Sequence, residues 1–182
     1  MECRGNILVV DDEIGPRESI RMIMKPYHDI KTAQCGEEAL QKISNESFDL
    51  VTLDLNMPDM HGIEVLKRIK EKKQDIEVVI ITGYGALETA QQAIRYGAFD
   101  YITKPFNVKE FISVVDKAIR KKWLQERIGK VIADLESKGI KGRMNIMHEG
   151  GAGLQGMTTP LGDALSNYKD LSLMDFIKVL SR

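Results

Sequence analysis

Leu50-Val51-Thr52-Leu53-Asp54-Leu55-Asn56-Met57-Pro58 is the stretch that decides the fold of this chain. An apolar run of this length, without polar alternation, reads as a strand buried on both faces. A carboxylate placed directly after such a strand falls at the carboxyl edge of a sheet, where α/β proteins put their chemistry. Three other apolar segments end the same way. Ile7-Leu8-Val9-Val10 runs into Asp11-Asp12-Glu13, Val78-Val79-Ile80-Ile81 into Thr82-Gly83, and Tyr101-Ile102-Thr103 into Lys104-Pro105. If these strands are parallel, three aspartates, a hydroxyl and an amine converge on one edge. That set suits a divalent cation together with a phosphoryl group. Carboxylates hold a hard metal through oxygen, and lysine and threonine can neutralise and hydrogen-bond phosphate oxygens.

Between these strands the apolar residues change to helical spacing. Pro16 fits the first turn of a helix whose stripe is Ile20, Ile23 and Met24. Ile30 to Ala33 reads as a weaker strand near the sheet edge. Gly36 opens a helix carrying Ala39, Leu40 and Ile43. Gly62 precedes one carrying Ile63, Leu66 and Ile69. Ala86 to Arg95 is a helix stopped by Gly97, well placed as a left-handed cap, and Asn107 caps a fifth helix. Strand and helix thus alternate five times within about 120 residues, which predicts an α/β domain with a parallel sheet covered on both faces.

The fifth helix carries sheet-facing residues Phe111, Val115 and Ala118. Leu124, Ile128, Val131 and Leu135 then continue its apolar stripe, either as a short coiled-coil seam, through which two chains could pair, or as a solvated helix end. Gly129 weakens this part by about 1 kcal/mol relative to alanine. The organisation expected is a domain over 1–122, a helical extension over 123–138, a glycine-rich linker over 139–160 and a short helical tail over 161–182. In the tail, Ser172-x-x-Asp175 resembles a capping box. The chain stops soon after Leu180, inside an apparent helix, which suggests the start of a truncated output region.

Composition narrows the class. The chain has 182 residues, 43% hydrophobic and 29% charged, with a formal net charge of −1. Bulk charge gives no reason to expect a nucleic-acid binder. No stretch approaches the ~20 apolar residues of a membrane span, and no apolar signal region precedes the first strand, so a cytoplasmic protein is the default. Cys3 and Cys35 read as reduced thiols. His28, His61 and His148 lack ligand spacing and read as surface residues. The basic cluster Lys117, Arg120, Lys121 and Lys122 reads as a solvated helix face.

Four motifs occur in order, each after a strand: Val9-Val10-Asp11-Asp12-Glu13, Leu53-Asp54-Leu55-Asn56-Met57-Pro58, Ile81-Thr82-Gly83, and Lys104-Pro105-Phe106. Together they resemble the receiver domain of two-component response regulators, over about residues 5–122. The stretch Ile81-Thr82-Gly83-Tyr84-Gly85 looks most like receivers of the nitrogen-regulation class, although no phosphate-binding glycine loop or complete helix-turn-helix follows. The resemblance implies a doubly wound, five-stranded parallel sheet in the flavodoxin-like order 2-1-3-4-5. It implies that Asp54 takes a phosphoryl group from a sensor histidine kinase, with Mg2+ held directly by Asp12, Asp54 and the Asn56 carbonyl and through water by Asp11. Lys104 would pair with Asp54 and then with the phosphoryl group. Thr82 would swing in to hydrogen-bond it, and the rotamer of Tyr101 would follow. A cis peptide between Lys104 and Pro105 is also implied. Tyr84 is expected to flank the water path to the phosphoaspartate and lengthen its lifetime.

Taken singly, each residue has a plainer reading. Asp11-Asp12 is then a solvated turn, Lys104 a surface lysine, Thr82 a turn residue and Tyr101 a half-buried strand aromatic. Their convergence favours the phosphoacceptor. A haloacid-dehalogenase-type magnesium phosphatase carries Asp-x-Asp after its first strand, which this chain lacks. A pseudo-receiver, acting purely as an interaction module, would lack an acid or the lysine, and none is missing.

Overall fold

The computed structural model describes residues 4–83 and 86–137. The linker, the tail, Cys3, Tyr84 and His148 lie outside the described residues. The chain divides into two compact units, Met1–Lys122 and Trp123–Arg182. The first contains five strands and four complete helices: β1 (Asn6–Val10), α1 (Ile14–Met24), β2 (Asp29–Ala33), α2 (Gly36–Asn45), β3 (Leu50–Leu53), α3 (Gly62–Lys72), β4 (Glu77–Thr82), α4 (Leu87–Arg95) and β5 (Asp100–Thr103). The last helix, α5 (Val108–Ser137), begins in the first unit and runs into the second.

All neighbouring strands pair in parallel, in the order β2-β1-β3-β4-β5. The order 2-1-3-4-5 is that of the flavodoxin-like doubly wound fold, as the sequence motifs led one to expect. Alternation along the strands sends successive side chains to opposite faces. Leu8, Val10, Val51, Leu53, Val78 and Ile80 form one core with Ala39, Leu40 and Ile43 of α2, Ile63, Val65, Leu66 and Ile69 of α3, and Ala93 of α4. The intervening residues Ile7, Val9, Leu50, Val79 and Ile81 are equally buried on the other face, as are Ile20 and Met24 of α1 and Phe111, Val115, Ala118 and Ile119 of α5.

Local chemistry sets the helix ends. Asn107 Oδ1 accepts from the Lys109 and Glu110 amides at 2.9 and 3.3 Å, opening α5. Gly97 sits at φ +84°, where a side chain would be strained, and ends α4. No helix among the described residues is long and apolar enough to cross a membrane.

Two surface assignments are corrected. His28 is 5% exposed: its Nδ1 accepts from the Gly5 amide at 3.2 Å, and its Nε2 lies 3.6 Å from Asp116 Oδ1. Lys122 is likewise 5% exposed. Its ammonium donates to the Phe48 carbonyl at 2.9 Å and to Asp75 at 3.1 Å. Both side chains fill gaps between elements far apart in sequence, so a local reading of polarity could not place them. Further along α5, Ile128 and Val131 are buried while Gln125, Glu126, Arg127 and Lys130 are exposed, so a uniformly solvated helix end does not describe this element.

Candidate functional site

Register brings the site together. Val10 is level with Leu53, so Asp11 and Asp54 leave adjacent strands side by side. The Asp54 amide donates to the Val10 carbonyl at 3.0 Å. On the other flank Thr82 is level with Thr103, and the Lys104 amide donates to the Thr82 carbonyl at 2.8 Å. The Lys104–Pro105 peptide is cis.

The lysine reaches across the edge. Lys104 Nζ donates to Asp11 Oδ2 at 2.7 Å and lies 3.3 Å from Asp54 Oδ1. Asp11 Oδ1 accepts from the Glu13 amide at 3.0 Å, and Asp54 Oδ2 from the Asn56 amide at 2.8 Å. Both carboxylates are buried, Asp11 at 2% exposure and Asp54 at 6%. Asp12 is exposed, and its carboxylate has no hydrogen-bond or ion-pair partner among the described residues. Thr82 is fully buried, and Tyr101 is half-buried on β5.

Burial, opposed by Lys104, holds the Asp11 carboxyl above the usual carboxylate range. Burial also works against the Lys104 ammonium, but its bonds to Asp11 and Asp54 outweigh it and raise its pKa. A raised folded-state value makes Asp11 favour the fold only while it is protonated. That contribution is present below the unfolded value of 3.8 and is lost as pH rises through the folded value. Asp11→Asn is therefore expected to raise the melting midpoint at pH 7, less any loss of support for the Lys104 ammonium, the gain shrinking as pH falls toward 3.8. Calorimetric melts across that range check it, and a lower midpoint at pH 7 would contradict it.

Among the described residues no group of three His, Cys, Asp or Glu side chains is arranged to hold a metal ion. The cation between the buried carboxylates is the Lys104 ammonium. The donor set this edge offers is nevertheless all oxygen: the two carboxylates at the ammonium, Asp11 and Asp54, with the exposed Asp12 next in sequence to the first and the Asn56 carbonyl two residues beyond the second. That composition fits a hard cation such as magnesium, which uses few protein carboxylates and completes its shell with water and phosphate.

Three neighbours escaped the sequence reading. Arg17, on α1, donates from Nη1 to the Asp11 and Asp12 carbonyls at 2.5 and 3.2 Å. It thereby fixes the turn that carries both acids. Gly62, at the start of α3, lies against the Asp54 main chain; a Cβ there would stand 2.3 Å from the Asp54 carbonyl oxygen. Thr89, on α4, lies 3.1 Å from the Tyr101 hydroxyl. The only sequence signal among these was a glycine opening a helix, and it did not say what approached it.

Comparison with known proteins agrees with this arrangement. Residues 7–116 match the family described as the response regulator receiver domain. The chain is 36% identical over 115 residues to the transcriptional regulatory protein ZraR of Escherichia coli K12, covering 63% of this chain and 26% of that protein. It is 34% identical over 117 residues to the DNA-binding transcriptional regulator NtrC of Proteus hauseri, covering 64% of this chain and 25% of that protein. The chain thus spans about a quarter of the length of these relatives. Among solved structures, NtrX from Brucella abortus superposes with a TM-score of 0.66 at 31% identity, covering 75% of this chain and 33% of that one. Motif, topology and match coincide on the same residues, and the chain belongs to the response regulator receiver domain family of two-component systems.

Proposed function

We propose that this chain is a phosphorylation-switched receiver whose acceptor is Asp54. The observation that carries the reading is the Lys104 ammonium spanning Asp11 and Asp54 at the sheet edge. An Asp54 carboxylate oxygen attacks the phosphorus of a phosphohistidine on a sensor histidine kinase. The P–O bond forms, the P–N bond breaks, and its electron pair returns to the imidazole. The product is an acyl phosphate. Such transfer is mostly positioning and charge stabilisation. Lys104 supplies a fixed positive charge that first holds the Asp54 carboxylate and then a phosphoryl oxygen.

Magnesium would be held by Asp12, Asp54 and the Asn56 carbonyl, with Asp11 acting through water. When bound, it neutralises charge that packed carboxylates and a phosphoryl group would otherwise oppose. Asp12 rather than Asp11 as a direct ligand is supported by occupancy. Both Asp11 oxygens accept hydrogen bonds, as do both Asp54 oxygens; the Asp12 carboxylate is uncommitted among the described residues and can take a metal without giving up a bond, whereas Asp11 holds Lys104 at the shorter distance, 2.7 Å. Asp12→Ala is expected to weaken magnesium binding by about ten-fold or more, and Asp11→Ala by less. A magnesium titration of both variants decides the order; an equal or larger loss in Asp11→Ala reverses it.

Thr82 then hydrogen-bonds the phosphoryl group and Tyr101 follows, converting local charge into a changed surface. A cytoplasmic location, a receiver limited to 1–122 with an extension, linker and tail beyond it, and pairing of two chains through α5 belong to the same reading. The relatives are named as transcriptional regulators. Beryllofluoride with magnesium is expected to bind once per chain and to be lost on chelation. Repeated turnover of small phosphate esters would instead favour a magnesium phosphatase.

A further inference from the structure

We propose that Arg17 is a positioning residue for magnesium: its guanidinium fixes the main chain of the Asp11–Asp12 turn and so presents the Asp12 carboxylate to the metal. The inference rests on the functional reading above, in which Asp12 is a direct ligand. Asp12 is exposed, and its carboxylate has no partner among the described residues, so its backbone sets where it sits. Two ties hold that backbone. The Glu13 amide donates to Asp11 Oδ1 at 3.0 Å and closes the turn on itself. Arg17 Nη1 then donates to the Asp11 and Asp12 carbonyls at 2.5 and 3.2 Å and anchors the turn to α1.

The sequence makes the second tie necessary. The Asp12 carbonyl lies four residues before Pro16, which has no N–H to offer it. Neither carbonyl accepts from a main-chain amide among the described residues, and Glu13 gives α1 no side-chain cap. Arg17 follows the proline and fills both places. Its guanidinium goes there rather than to an acid. Arg17 makes no ion pair among the described residues, although Glu13 lies four residues before it, the favourable order for a helical pair. Hydrogen bonds from a charged donor are the strong ones, and two from one planar group restrain orientation as well as distance. Charge alone predicts the opposite role. A cation beside a metal site repels the metal, so deleting it would tighten binding. Positioning predicts looser binding, because magnesium must then order the turn itself.

Arg17→Met removes the charge and the donors and keeps an unbranched stem. Calorimetric titration with magnesium chloride is expected to show about ten-fold weaker binding, the lower end of what losing the support of a metal ligand costs. In the metal-free protein the Glu13 amide, which the turn protects, should exchange with deuterium faster by a similar factor of about ten. Arg17→Lys keeps a charged donor and should fall between the parent and Arg17→Met. Arg21→Met is the charge control. It lies on the same helix, but its guanidinium pairs with Glu18 at 2.6 Å instead of with the turn, so it should bind magnesium like the parent or slightly more tightly. Arg17 variants that melt earlier but bind magnesium as tightly as the parent, or more tightly, would show a merely structural or repulsive residue and overturn the positioning role alone. Equal weakening in Arg21→Met would also overturn it. A parent that binds no magnesium would overturn the functional reading, and the positioning role with it.

Discussion

Asp54→Asn is expected to lose phosphoryl acceptance altogether, a drop on the order of 10³-fold or more, as when a nucleophile is removed from an assembled site. The amide is nearly the shape of the carboxylate, and its oxygen can still accept from the Asn56 amide. The substitution also removes one of two buried carboxylates that share a single ammonium. Lys104 keeps Asp11 at 2.7 Å as its partner. The fold should therefore persist, with a melting midpoint equal to or above that of the parent. Intact mass after incubation with acetyl phosphate and magnesium measures the first effect, and calorimetry the second. An Asn variant that gains the phosphoryl group at the parental rate would place the acceptor elsewhere.

Gly62→Ala is expected to damage fold and site together. In an ordinary helix the change would be favourable by about 1 kcal/mol. Gly62 has no positive φ, so its backbone would tolerate a side chain. Space decides against it. The new Cβ would stand 2.3 Å from the Asp54 carbonyl oxygen and 2.7 Å from Leu55 Cα. These are main-chain atoms of the segment carrying the acceptor, with no rotamer to yield. Overpacking of this kind costs roughly 1–3 kcal/mol, and the upper part is expected here because backbone must shift. Gly129→Ala is the matched control. It too lies in a helix, α5, but a Cβ there meets nothing within 4 Å, so it should be neutral or slightly stabilising. Urea unfolding of both variants checks the contrast. Equal stability of Gly62→Ala and the parent would mean that α3 does not press on the Asp54 strand end.

What was legible in the sequence follows from what is local. Strands such as Ile7–Val10 and Leu50–Leu53 read clearly because burial on both faces leaves an uninterrupted apolar run. Asp11, Asp54, Thr82 and Lys104 could be placed on one edge because each directly follows a strand, and parallel pairing does the rest. Asn107 and Gly97 act through their own backbone neighbourhoods and were equally visible. His28 and Lys122 were not. Their partners, Asp116 and Phe48, are distant in sequence, and nothing near a lysine in a basic run says that one member turns inward. Arg17 and Thr89 escaped for a related reason. Each works through a carbonyl or hydroxyl whose position exists only after the sheet has formed. The metal-ligand order, too, depends on which oxygens Lys104 and the Glu13 amide have already taken.

The proposed role of Asp54 is to carry a covalent acyl phosphate. The most direct measurement is borohydride trapping of the unmodified chain after incubation with acetyl phosphate and magnesium, followed by peptide mass mapping. Reduction of the acyl phosphate converts the modified aspartate to homoserine, which marks its position. Conversion at residue 54 alone, absent when magnesium is chelated, is the predicted result; conversion at Asp11, Asp12 or any other carboxylate with residue 54 untouched would contradict it.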